Sequence, residues 1–222
     1  MDAAYSRGMF FALENPTPDQ QGWCPVSTLY TVAAGPLDTL LEYVRLAKGG
    51  CEPRVAASIF FQGFAARLLS PPLACIAMKN CLPDMPSDRL RWRQPERGML
   101  SLGMSARQGW EGSAELLITQ LIAASFDEHL LPLRHALLSR VKLADAILTD
   151  NVASALIGGL ELMCDYLGQS WRELAAAALA QPHLSGCGSF PDPGRFVRRS
   201  CCLIYRVPPG EKCGDCPINL KS

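Results

Sequence analysis

The stretch PLDTLLEYVRLAKGGCEPRVAASIFFQGFAARLLSPP, residues 36–72, decides the architecture. Leu37, Leu40, Leu41, Val44 and Ala47 recur at spacings of three and four, which is helical periodicity. Pro36 suits the first helical turn, and Gly49-Gly50 supplies a stop. A second helix is predicted from Pro53 to Leu69, with Val55, Ile59, Phe60, Phe64, Leu68 and Leu69 as its apolar positions. Both of its faces are apolar, so it should be well buried. Pro71-Pro72 should end it, because proline lacks the backbone donor and restricts the residue before it.

The same periodicity continues along the chain. Ser113 to Leu131 reads as a helix that Pro132 should kink or break. Further helices are expected over 132–143 and 144–167, the latter with Gly158-Gly159 inside it. Two glycines cost about 1 kcal/mol each against alanine in a helix, so close backbone packing or a bend is expected there. Ser170-Trp171-Arg172-Glu173 has the form of a capping box at the head of an alanine-rich helix to Ala180. Between residues 73 and 104 the character changes. LACIAM, LRWRQ and MLSLGM, separated by prolines and a glycine, read as short strands, with a hairpin around QPERG. QPHLSGCGSFPDPGRFVRRS, residues 181–200, reads as a connecting loop. The expected fold class is therefore mainly α: a helical domain with a small β element and a C-terminal cysteine-rich module. The helix-rich scaffold and substrate region is assigned to residues 1–185 and the module to residues 186–222.

Composition sets bounds. Of 222 residues, 49% are hydrophobic and 19% charged, which argues for a packed chain and against extensive disorder. The 21 basic and 21 acidic residues balance, so whole-chain charge gives no argument for a nucleic-acid partner. Neither a secretory leader nor a membrane-spanning run is expected, and a cytoplasmic location follows as the expectation, with peripheral membrane contact left open. There is no Gly-rich phosphate loop or G-x-G-x-x-G fingerprint, so a built-in nicotinamide or flavin site has no support. His129 and His135 lie six apart across Pro132, the wrong spacing for two ligands on one helix face. Trp23, Trp92, Trp110 and Trp171 read as packing residues.

The chemistry concentrates near the C-terminus. Cys201, Cys202, Cys213 and Cys216 form C-C-x10-C-x2-C, a full shell of four thiolates for tetrahedral zinc or an iron–sulfur cluster. Cys24, Cys51, Cys75, Cys81, Cys164 and Cys187 are scattered and read as small buried hydrophobes. Gly214 permits a tight turn that aims both C-x-x-C sulfurs at one centre. The adjacent pair is the unusual half. Structural zinc ordinarily takes ligand pairs two to four residues apart. A two-iron cluster is larger and asks each iron for two protein sulfurs, so an adjacent pair has more places to bind. The residues favour a cluster, while zinc and a vicinal disulfide or redox thiols stay open. Arg206 and Lys212 are candidates for offsetting the charge of an added electron, and the amides of Gly214 and Asp215 for donating to sulfur. Arg195, Arg198 and Arg199 offer either a dock for an acidic donor or anionic complex, or a solvated basic face.

RRSCCLIYRVPPGEKCGDCP, residues 198–217, resembles the end of the FhuF-like ferric siderophore reductases. The likeness lies in the basic lead-in, Cys201-Cys202, the Tyr205-Arg206 step, the Pro209-Gly210 turn and Cys213-Gly214-Asp215-Cys216-Pro217. It implies a [2Fe–2S] cluster on Cys201, Cys202, Cys213 and Cys216, and one-electron reduction of a ferric siderophore to release Fe(II). It further implies a hydroxamate-type complex as substrate and a separate electron donor such as a ferredoxin or reductase. The competing readings are a zinc-stapled helical binding or carrier protein without redox activity, and a siderophore carrier or regulator.

Overall fold

The computed structural model describes residues 11, 13–16, 20–94, 100–105, 108–192 and 194–220. Helices dominate. Helix α1 spans Pro36–Ala47 and α2 spans Pro53–Lys79. After the small strands come α3, Ala114–Ser125, a π-helical turn, Phe126–Leu130, and α4, Leu131–Leu138. Then follow α5, Asp145–Leu162, the single turn α6, Cys164–Leu167, and α7, Trp171–Leu179. Among the described residues, three small antiparallel sheets accompany the helices. Strand β1, Cys24–Pro25, pairs with β3, Arg91–Arg93, which pairs with β4, Ser101–Gly103. Strand β2, Cys81–Pro83, pairs with β5, Gly109–Glu111. Strand β6, Gly188–Asp192, forms a hairpin with β7, Arg195–Arg198.

The central helix is α2, and its most extensive helix–helix contact is with α5. Phe60, Phe61, Phe64, Leu68 and Leu69 are all fully buried in one core that also takes Leu148, Leu156 and Leu160 from α5. Each such side chain contributes about 1.5–3 kcal/mol relative to exposure. Close packing between the two helices requires Gly159. A β-carbon there would lie 2.7 Å from Leu73 Cδ1, so a larger residue would force the buried Leu73 side chain or the helix itself to shift.

That contact also corrects two expectations. Pro71-Pro72 does not end the helix, and LACIAM is not a strand: α2 runs on through both to Lys79. An interior proline costs about 3 kcal/mol in an isolated helix. Here Ser70, Pro71, Pro72, Leu73 and Ile76 are buried, so packing outweighs the lost backbone bonds. Asn80 then closes the helix in the left-handed conformation at φ 50, with its N–H on the Ile76 carbonyl at 3.0 Å. The extended α2 is long and apolar enough to cross a membrane by length and composition. Of its most apolar window, 61% is buried inside the fold, as in a core helix.

Pro132 acts as expected. The preceding turn widens, with the Leu131 N–H reaching back to the Phe126 carbonyl, which makes room for the proline ring. Helix α4 stops earlier than 143. Arg140 ends it by donating to the Ala136 carbonyl (2.8 Å), the Ala33 carbonyl (2.7 Å) and Asp38 (2.8 Å). The Ser170 capping box does not form. Ser170 already has helical φ and ψ, and its hydroxyl donates backwards to the Leu167 carbonyl. LRWRQ and MLSLGM do pair, Trp92 opposite Leu102, but residues 95–98 of the expected QPERG turn lie outside the described residues. The supposed connecting loop holds the β6–β7 hairpin, anchored by Phe190 against Trp171 and Phe196. Trp92 and Trp171 are core residues, whereas Trp110 is half exposed on β5.

Candidate metal centre

The C-terminal cysteines lie on irregular chain that starts where β7 ends, and this solves the problem of the adjacent pair. In a strand, Cys201 and Cys202 would point to opposite faces. Instead the chain turns sharply at Leu203, which has left-handed backbone at φ 70, an unusual state for a branched residue. The turn brings the Leu203 N–H to 3.3 Å from Cys201 Sγ. The Ile204 N–H is directed at Cys202. Cys202 Sγ lies 3.5 Å from Cys213 Sγ, so the two halves of the motif meet. Cys201 interacts in turn with Cys216. Cys202 and Cys216 are buried, while Cys201 and Cys213 are half-buried.

The acidities follow from this closeness. The Cys202 thiol is drawn below its ordinary value, first by its hydrogen bond with Cys213 and against the effect of burial. The same bond, with burial, pushes Cys213 up. Cysteine binds iron as thiolate, so loading a cluster must release the protons these sulfurs carry. Burial also raises Cys201. Among the scattered cysteines, Cys187 is buried and pushed up to about 12 by burial and its contact with Asp150, the behaviour of an unreactive thiol. Cys24, Cys51, Cys75, Cys81 and Cys164 are half-buried.

What holds the four thiols in place is a buried chain of polar groups from the two central helices. Ser58 on α2 donates to the Cys202 carbonyl at 2.8 Å. Asn151 on α5 donates to Ser58 Oγ at 3.0 Å and to the Ser58 carbonyl at 3.1 Å. Its own oxygen accepts from Arg198 Nη1 at 2.7 Å. Arg198 also donates to Ser154 and makes a two-point contact with Asp215, Nε to Oδ2 and Nη2 to Oδ1, both 2.9 Å. Asp215 lies inside C-x-x-C. One network therefore ties Cys202 and the Cys213–Cys216 loop to the same surface of α2 and α5. Next to it, Asp150 accepts from Arg199 (3.1 Å) and from the Ser200 amide (2.7 Å) and hydroxyl. Ser58, Asp150, Asn151 and Arg198 are all buried, and each has a partner, as burial in an apolar interior demands.

These residues were not singled out by sequence reasoning, apart from Asp215, read for its amide alone, and the arginines, whose role differs. Arg198 is not a docking residue: its side chain is 0% exposed and paired with Asp215. Arg199 is bonded to Asp150, and Arg195 donates to the Gly214 carbonyl at 3.0 Å. Arg206 turns away to pair with Glu52 at the head of α2, and Lys212 is exposed. The positive charge acting on Cys202 and Cys213 is that of Arg198. The amides directed at sulfur are those of Leu203 and Ile204, outside the expected Gly214-Asp215 pair. The available signal was Thr149-Asp150-Asn151, a run of three polar residues inside a mostly apolar helix. His129 and His135 stay apart from this site. His129 bonds Tyr30 and the Met85 carbonyl, both at 2.7 Å, and His135 is exposed.

The donor set suits a small iron–sulfur cluster. Four cysteines converge from two short loops, and backbone amides approach the sulfurs. Among the described residues, no group of three or more His, Cys, Asp or Glu is gathered tightly enough for a single ion. The fold and site together define a helical protein that carries a compact four-cysteine segment packed on its two central helices. Residues 198–217 match the family model described as the FhuF 2Fe-2S C-terminal domain, which makes a [2Fe–2S] cluster the cofactor and supports an FhuF-like assignment over that short segment. No curated protein matches the chain.

Proposed function

We propose that this chain is a ferric siderophore reductase, acting in the cytoplasm on a hydroxamate-type complex and taking electrons from a separate ferredoxin or reductase. The observation that carries the reading is the match at residues 198–217 over four convergent thiols. Cys201, Cys202, Cys213 and Cys216 would hold the cluster, which when bound supplies one electron at a time. Ser58, Asn151 and Arg198 fix the two loops relative to each other. Leu203 and Ile204 supply donors to sulfur, which favour the added negative charge. Hard oxygen ligands hold Fe(III) much more strongly than Fe(II), so one electron loosens the metal. Chemistry at the siderophore asks nothing of the protein beyond positioning donor and acceptor.

Anaerobically purified protein is expected to be red-brown, to carry about two irons and two sulfides per chain, and to bleach with dithionite. Pre-reduced protein mixed with a ferric tris-hydroxamate should yield Fe(II), captured by a ferrous chelator, in a single turnover. Colourless protein holding one zinc, or a reduced cluster that yields no Fe(II), would overturn the proposal. Cys202→Ser should abolish stable loading; an unchanged spectrum removes Cys202 from the ligand set.

A further inference from the structure

Beside the cysteine loop lies a cleft of about 410 Å³, open to solvent. One wall is the outer face of α5, where Ser154, Gly158 and Glu161 follow one another at helical spacing. Another side is the start of β7, with Gly194, Arg195 and Phe196. The floor is Gly214 and Asp215, the two residues between the C-x-x-C thiols. We infer that this cleft is the seat of the electron acceptor, an uncharged ferric tris-hydroxamate; the inference rests on the reductase reading above.

Three observations support the assignment. First, the position is right. Gly214 is exposed, and a β-carbon there would meet nothing within 4 Å, so the backbone between two cluster ligands faces open space. A molecule resting on Gly214 is separated from Cys213 by one peptide unit. Second, the shape is right. The cleft is concave and within the usual range of roughly 300–1,000 Å³ for small-molecule sites, whereas a protein electron donor docks on a broader surface. Third, the charge is right. Asp215 is neutralised by Arg198, which leaves one guanidinium, Arg195, facing one carboxylate, Glu161. Three hydroxamates cancel the charge of Fe(III), so such a chelate meets balanced walls. The Arg195 fork can donate to the hydroxamate oxygens. Ile157 and Phe196 give the cleft apolar patches for the linking methylenes.

The cleft can be blocked without disturbing the core. A β-carbon at Gly158 meets nothing within 4 Å, unlike one at Gly159. Gly158→Trp therefore grows into the cleft, and Glu161→Trp does so from the same helix face. The probe for occupancy is gallium(III) tris-hydroxamate, which has the shape and charge of the ferric complex but accepts no electron. It is titrated into oxidised holoprotein, and single-turnover reduction of the ferric complex is measured alongside. The expected result is binding to the wild type and at least a tenfold loss of affinity in both variants. Reduction should slow in parallel, with the cluster's absorption and electron paramagnetic resonance spectra unchanged.

Undiminished gallium-complex binding by either correctly loaded variant overturns the cleft assignment, as does lack of binding by the wild type. The reduction arm judges the other reading separately. Wild-type protein that binds the gallium complex but reduces no ferric complex keeps the seat and overturns the reductase. Wild-type protein that reduces the ferric complex while the variants bind and reduce equally well does the reverse.

Discussion

Arg198→Met removes the guanidinium on which the site network converges. The side chain is 0% exposed, and its partner Asp215 is 18% exposed. Four hydrogen bonds go with it: two to Asp215, one to Asn151 and one to Ser154. Methionine fills similar length but offers no donor, so the Asp215 carboxylate is left without its cation. Removing one partner of a buried ion pair costs about 3–5 kcal/mol. The slight exposure of Asp215 lets water screen part of this, which favours the lower end. For a chain of this size 1 kcal/mol moves Tm by about 2–4 °C, so a fall of about 6–20 °C is expected. Since Asp215 lies between two thiols, the cluster should also be lost faster to a chelator. Thermal unfolding of the holoprotein, followed by circular dichroism with iron counted per chain, reads both effects. Adding Asp215→Asn to Arg198→Met should recover part of the loss, because the orphaned charge is then gone. Arg198→Lys keeps the charge but not the planar fork, and should fall in between. A Tm within about 2 °C of wild type with full iron loading would refute the network as the site's support.

The pH dependence of stability should carry a signature of His129. Burial first, against the Met85 carbonyl and Glu128, holds its pKa below the ordinary 6.5. The unfolded chain therefore takes up a proton near pH 6.5 that the folded chain refuses, so stability falls as the pH drops through that value, by at most about 1.4 kcal/mol per pH unit. Urea midpoints of wild type and His129→Gln measured from about pH 8 down to pH 5.5 should diverge in slope, and equal slopes would exclude His129 as the cause. The two neighbouring glycines of α5 should respond oppositely. Gly159→Val meets Leu73 and should cost about 1–3 kcal/mol, while Gly158→Ala enters open space and should be neutral or gain up to about 1 kcal/mol. Denaturant unfolding compares them directly, and equal effects would refute the close approach of α2 and α5.

Local signals were sufficient wherever the deciding interaction was local. Pro36, the three-and-four spacing and Gly49-Gly50 foretold α1 because each acts within one or two turns. Pro132 foretold an interruption for the same reason. Ser170 shows how a correct local motif fails: it already has helical φ and ψ, and its hydroxyl is taken by the Leu167 carbonyl. Pro71-Pro72 shows the opposite failure. Its local veto was overridden by burial against α5, on a helix more than 70 residues away in sequence. The β6–β7 hairpin was hidden because its strands are held by Phe190 packing on Trp171 and Phe196 rather than by strong alternation.

The helical class and the four thiols are legible in the residues alone. Periodicity is a property of neighbouring residues, and a ligand set is a property of residue type and spacing. How the adjacent pair is arranged emerges only with the packing. The left-handed turn at Leu203 sets Cys202 beside Cys213 and Cys201 near Cys216, and Ser58, Asn151 and Arg198 hold that turn against the C-x-x-C loop. Those contacts join groups from 17 to 144 residues apart in sequence, beyond the reach of any local pattern. Burial demands them, because a polar group sealed among Phe and Leu side chains must find its partner wherever the fold brings one.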